Sequence, residues 1–299
     1  RLGGVLGMEG PALKAMVRAG AAAGISAGFR SPAGAVLLTL EVFGARFNRE
    51  LVAIGVAAGA SYLTFTTLAG DRYLVHLSGP LQPIPWAGLL LVAPLMGLTA
   101  APVGHLFLRL LAWAKTVLGQ WPRAARVGLG GFLVGCIGIY YPQVMSAGYP
   151  VVETALKGEI GVRLLVTLLM LKILATAITF GLGAVGGMFA PALVMGAMFG
   201  GAFGFGVRQL YPGAAPQPEV FVLLGMVVMY AAIVKGCWSG LLLVADMSGS
   251  YHALLLPGIL AGGISFLLSW AIHDRSVFDL PLETGRLPEA VVEPVSQLA

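Results

Sequence analysis

Charge is what this sequence has least of. Of its 299 residues only 10% are charged while 58% are hydrophobic, and the mean hydropathy is +0.90. A soluble domain carries about 25% charged residues, so the polar surface here cannot coat a soluble core of this size. That excludes an ordinary cytosolic enzyme and a disordered chain. It also excludes a nucleic-acid-binding domain, despite a net charge of +5 and a pI near 9.4. Cysteine is almost absent. Cys136 and Cys237 cannot build the disulfide framework of a small secreted scaffold. His76, His105, His252 and His273 share no metal-ligand spacing, and no Walker, Rossmann or nucleophile motif occurs, so the chain reads as a non-enzyme without metal or cofactor. Glycine, in contrast, is plentiful at 43 residues, which suits closely packed or interrupted membrane helices. The composition describes an all-α integral membrane protein in contact with a lipid bilayer.

A spanning helix needs about 20 mostly apolar residues. Stretches of that kind run over Leu51–Leu68, Trp86–Trp113, Val127–Tyr140, Ile160–Leu182 and Leu254–Ile272. Pro32–Phe43 and Ser239–Met247 are too short to cross alone, and Met188–Val207 opens on Gly186-Gly187 with Pro191 in its first turn. Half-length and broken helices at membrane depth are tolerated only against protein or a polar cavity. Arg46 and Arg49 lie in one connection, and Arg109, Lys115, Arg123 and Arg126 lie two spans later. The positive-inside rule makes both cytoplasmic, with the loop around Asp71-Arg72 outside.

Segment Ala19–Val42 repeats at Leu224–Met247 with a constant offset of 205 residues. Gly20 aligns with Gly225, Arg30 with Lys235, Ala35 with Gly240 and Glu41 with Asp246. Each copy is an apolar helix, a base, a breaker, a short helix and an acid eleven residues after the base. Such duplication marks transporters whose site lies near the bilayer midplane, where interrupted helices meet.

These residues resemble the CLC family of chloride channels and chloride/proton antiporters. The resemblance is carried by Gly20–Val42, by Gly186–Pro191 (GGMFAP), by Gly240–Ser248 (GLLLVADMS) and by Ser276–Asp279 (SVFD). It implies an inverted-repeat fold with re-entrant and broken helices, present here without its first helices. It also implies a homodimer with one anion pathway per subunit, in a bacterial or archaeal plasma membrane. Residues 1–273 form the transmembrane transport domain on this reading, and residues 274–299 a terminal helix with a short cytoplasmic tail. Chloride is the transported ligand, and the family's central site maps to Gly187, Met188, Phe189 and Phe278. The GGMFAP element has a physical logic of its own. Two glycines let backbone N–H groups face inward, and Pro191 loses no internal hydrogen bond. The helix N-terminus then offers an anion weak binding without formal charge.

Three positions depart from the family pattern. Phe278 stands where members commonly have tyrosine, so a hydroxyl at the inner side of the site is missing and anion binding is expected to be weaker or less selective. Val42 stands where antiporters carry the internal proton acceptor, which tips the expectation toward a passive, voltage-gated-type channel, with the antiporter as the alternative and a non-functional fragment lacking the gate behind it. Glu9, within GMEGP, is a candidate for the gating glutamate. Counting disfavours it, because Phe189 precedes Gly225 by 36 residues while Glu9 precedes Gly20 by only 11. The gate element is therefore expected upstream of residue 1, and Gly7–Pro11 reads as a polar lead-in to a helix. Glu41 and Asp246 are expected to be structural acids, Glu41 pairing with a base near the cytoplasmic end. For Lys172, inside an apolar span, an anion-attracting role and a structural ion pair both stand.

Overall fold

A computed structural model of the chain describes residues 7–70, 73–118, 120–210 and 217–279, which contain helices and no strand. In chain order the α-helices are α1 (Gly10–Phe29), α2 (Pro32–Glu41), α3 (Arg49–Ala69), α4 (Trp86–Val117), α5 (Arg123–Tyr140), α6 (Tyr149–Leu156), α7 (Val162–Gly181), α8 (Phe189–Leu210), α9 (Pro218–Val234), α10 (Cys237–Ser248) and α11 (Tyr251–Ile272). Six of them, α3, α4, α5, α7, α8 and α11, are long and apolar enough to cross a membrane, while α2, α9 and α10 are shorter apolar helices. The chain is a multi-pass integral membrane protein. The Asp71-Arg72 loop and residues 280–299, most of the expected terminal helix and tail, lie outside the described residues.

The chain divides into two compact units. The first joins residues 7–76 to Trp238–Tyr251, which holds all of α10 but its first residue. Here α1 and α3 lie side by side, stitched by serines. Ser26 Oγ donates to the Ala58 carbonyl at 2.8 Å, Ser61 Oγ donates to the Ala23 carbonyl at 2.8 Å, and Arg18 pairs with Glu50 at 2.9 Å. Small residues such as Ala22 and Ala58, both fully buried, permit the close approach. Helix α1 stops because Arg30 takes the left-handed conformation at φ 55°, and Pro32 restarts the chain as α2, a place where its missing N–H costs nothing. A Cβ added at Gly34 would come within 2.9 Å of the Leu243 backbone nitrogen, so α2 lies directly on α10.

The second unit runs from Leu77 to Cys237 and resumes at His252. Its centre is α9, of which every residue from Val220 to Val234 is buried. A helix apolar on all sides has no face to offer water and takes the middle of the bundle. It crosses α8 at glycines. A Cβ on Gly225 would collide with the Gly196 carbonyl, and one on Gly200 with the Phe221 carbonyl. Helix α9 then ends as α1 does, with a left-handed base, Lys235 at φ 63°. The two repeat copies therefore share one backbone course of helix, left-handed base and short helix. A non-glycine residue in that conformation costs roughly 1 kcal/mol, and both copies bear it at the aligned position.

Candidate functional site

The head of α8 is built by the glycines that precede it. Helix α7 ends at Gly181, and the chain runs without regular structure through Gly186, Gly187 and buried Met188 before α8 begins at Phe189. Ala192 N–H donates to the Met188 carbonyl at 3.2 Å, the first hydrogen bond of the new helix. The N–H groups ahead of it have no intrahelical acceptor, as in the first turn of any α-helix. Nothing lies within 4 Å of where a Cβ on Gly187 would sit, so this exposed backbone is open to approach. An open helix N-terminus in an apolar setting favours a small anion.

Phe189 faces two other rings. Its centroid lies 5.1 Å from that of Phe278 and 6.1 Å from that of Tyr230, the latter nearly parallel at 23°. Phe278 is held by a compact turn. Phe278 N–H donates to Ser276 Oγ at 3.1 Å, Ser276 N–H donates to Asp279 Oδ2 at 2.7 Å, and Val277 N–H ties the segment to the Ile233 carbonyl at 3.1 Å. Of the residues singled out in the sequence, the fold brings Phe189 and Phe278 into ring contact, with Gly187 and Met188 in the same loop. Tyr230, fully buried in α9, escaped that reading. Its one signal was a lone polar tip in the otherwise apolar run of α9, and that tip does not say which ring it stacks on.

The remaining candidates belong to the first unit. Glu9 is exposed and directly precedes α1, so the helix that follows it is the one that carries Gly20. No second helix separates the two. Val42 is the half-buried C-cap of α2. Glu41 differs from expectation in its partners. Its carboxylate accepts the backbone N–H groups of Trp238 at 3.0 Å and Ser239 at 2.8 Å, in the first turn of α10, where a base was anticipated. A helix N-terminus supplies the positive partial charge that a base would have brought. Asp246 plays the converse part, accepting the hydroxyl of Ser31, the N-cap of α2, at 2.5 Å and that of Tyr251. In the second unit Lys172 is buried and donates to the carbonyls of Val144 at 2.9 Å and Ser146 at 2.7 Å. It thus pins the turn before α6. Among the described residues no group of three or more His, Cys, Asp or Glu side chains could hold a metal ion.

Comparison with known proteins returns one family. The profile described as "Voltage gated chloride channel" matches residues 2–269. The H(+)/Cl(-) exchange transporter ClcA of Vibrio cholerae is 30% identical over 254 residues, covering 82% of this chain and 54% of its own length. A ClcB-like protein of Ralstonia nicotianae is 33% identical over 289 residues, covering 93% of this chain and 66% of its own. The chain thus spans little more than half the length of the first of these relatives. Among solved structures, a slow cyanobacterial Cl-/H+ antiporter superposes with a TM-score of 0.84 at 24% identity, over 94% of this chain and 67% of that one.

Proposed function

The chain belongs to the voltage-gated chloride channel family, and from that membership we propose that it moves chloride or a similar small anion across a bacterial or archaeal plasma membrane in exchange for protons. The observation that carries the anion half is the head of α8, where a glycine-opened backbone meets the ring pair of Phe189 and Phe278. Dipoles and N–H donors attract an anion there without the formal charge that would hold it too long. The aromatic rings narrow the approach.

Exchange is favoured over passive conduction by the ClcA relative, whose name is that of an exchange transporter. Val42 favours the channel, since valine carries no proton. On the exchange reading protons take a route that avoids position 42. Phe278 supplies no hydroxyl, so the anion is held more loosely than a tyrosine there would hold it. The working unit is a homodimer in which each subunit has its own pathway.

The test is flux from liposomes that contain the intact protein. An outward chloride gradient should drive protons against their own gradient, read by a trapped pH dye. Chloride efflux with no proton movement would return the protein to the passive-channel reading. No anion flux from folded protein would remove both.

A further inference from the structure

The turn that carries Phe278 follows directly on a pair of imidazoles to which the anion path so far described gives no role. Helix α4 lies along α11, since a Cβ on Gly97 would strike the Ala261 carbonyl and come within 3.1 Å of the Ser265 nitrogen. Two turns further along both helices, His105 of α4 meets His273, the residue that follows α11, with ring centroids 5.7 Å apart at 66°. The same stretch of α4 also lies on the end of α9. A Cβ on Gly104 would come within 2.7 Å of Ala232 Cβ and 3.5 Å of Ile233 Cγ1. The Ile233 carbonyl accepts the Val277 N–H at 3.1 Å. The residue that anchors the Phe278 turn is thus one against which Gly104 packs, one place from His105.

Both rings are half-buried, and His105 Nδ1 is buried with no hydrogen-bond partner among the described residues. An edge-to-face contact suits neutral rings. A proton on each ring sets two like charges side by side, partly out of water. The surroundings bear on that repulsion. Arg109 stands one turn on from His105 in α4, and Lys235 caps the end of α9. Asp274 and Asp279 lie near Lys235 and offset it. Asp279 also accepts the Ser276 N–H, while Asp274 and Arg275 are exposed and screened by water. Of the other helices against α4, α7 brings Lys172, which is committed to the carbonyls of Val144 and Ser146. Helix α8 brings Arg208 only in its last turn.

We propose that the His105–His273 pair is a pH-sensitive catch for the Phe278 turn. Neutral rings keep His273 against α4, and a proton on each drives His273 off and frees Val277 from Ile233. The inference rests on the anion-transport reading and adds to it a control over one of the two rings at the head of α8. Its physics is linkage. Contact between the rings disfavours the second proton, and the second proton disfavours contact by the same factor. The hold on the turn is therefore complete above the histidine range and is lost as pH falls through it. His273 is the ring that yields. Helix α4 is pressed onto its neighbours at Gly97 and Gly104, whereas His273 lies just past the end of α11.

The experiment is hydrogen exchange on the intact protein in detergent, above and below the ordinary histidine pKa of about 6.5, corrected for the chemical exchange rate at each pH. The Val277 amide should exchange about tenfold faster at the lower pH, the worth of one backbone hydrogen bond, with α9 unchanged. His105→Gln and His273→Gln each leave at most one charge in the pair. In both, Val277 should exchange as slowly as in the parent protein at high pH and should lose the pH response. In liposomes with equal pH on both sides, chloride flux through the parent protein should exceed that of both variants at low pH and match it above the histidine range. A Val277 amide indifferent to pH, loosened by either variant at both pH values, or responsive with equal flux in all three proteins would overturn the inference and leave the transport reading standing. No anion flux from protein whose Val277 amide responds would remove the transport reading alone.

Discussion

Glu41 Oε2 accepts the backbone N–H of Ser239 at 2.8 Å, so the acid that closes α2 caps the beginning of α10. Asp246, its repeat counterpart, closes α10 and accepts the hydroxyl of Ser31 at the beginning of α2. The two short helices run antiparallel, and the acid near the end of each reaches the beginning of the other. A duplicated sequence folded with inverted topology gives this reciprocity directly.

Removing one cap tests this. Glu41→Ala leaves two N–H groups of α10 without their carboxylate and should lower stability by about 1–2 kcal/mol. Glu41→Gln, which keeps one acceptor, should lose less. Thermal unfolding in detergent, followed by loss of monodisperse protein on size exclusion, reads the difference. Equal stability of all three proteins would show that the contact contributes nothing.

The crossing of α8 and α9 makes a sharper contrast between two glycines of one helix. Gly200→Ala drives a methyl group into the Phe221 carbonyl and should cost about 1–3 kcal/mol, or more where the backbone cannot give. Gly206→Ala meets nothing within 4 Å. It should be neutral or stabilise by about 0.5–1 kcal/mol through helix propensity. The same unfolding assay should rank them in that order.

Phe278→Tyr restores a hydroxyl beside Phe189. If that hydroxyl reaches the anion, chloride affinity by calorimetry should rise about tenfold, the worth of one hydrogen bond to a charged group. Unchanged affinity would place Phe278 in packing alone and away from the ion.

Lys172→Met sets two effects against each other. Removing a buried charge recovers desolvation energy, while the carbonyls of Val144 and Ser146 each lose a donor at about 1–3 kcal/mol. With two carbonyls stranded the loss should win, and the turn before α6 should loosen. Faster hydrogen exchange over residues 142–148, with the rest of the chain unchanged, is the expected signature.

Much of this architecture is legible in composition and period. The long apolar runs mark five of the six spans to within a few residues. Broken stretches opened by Pro32 and by Gly186-Gly187 mark where helices stop short. The repeat aligns Arg30 with Lys235, and both turn out left-handed. Partners are another matter. Glu41 binds backbone N–H groups, and a backbone group has no letter in the sequence, so a base was the natural guess. Tyr230 and Phe189 are 41 residues apart and meet only because α8 and α9 cross at glycines. Lys172 satisfies itself on carbonyls for the same reason that Glu41 escaped. In each case the missing information was the path of the main chain, which side-chain chemistry alone does not encode.

The glycine crossing also limits how the molecule can move. With the main chains of α8 and α9 pressed together at Gly196, Gly200 and Gly225, neither helix has clearance to slide along the other. Phe189 and Tyr230 ride on that joined pair as fixed walls. On the transport reading a passing ion is admitted by parts mounted elsewhere, such as the Phe278 turn, which meets the pair through the Val277–Ile233 backbone hydrogen bond and the Phe278–Phe189 ring contact.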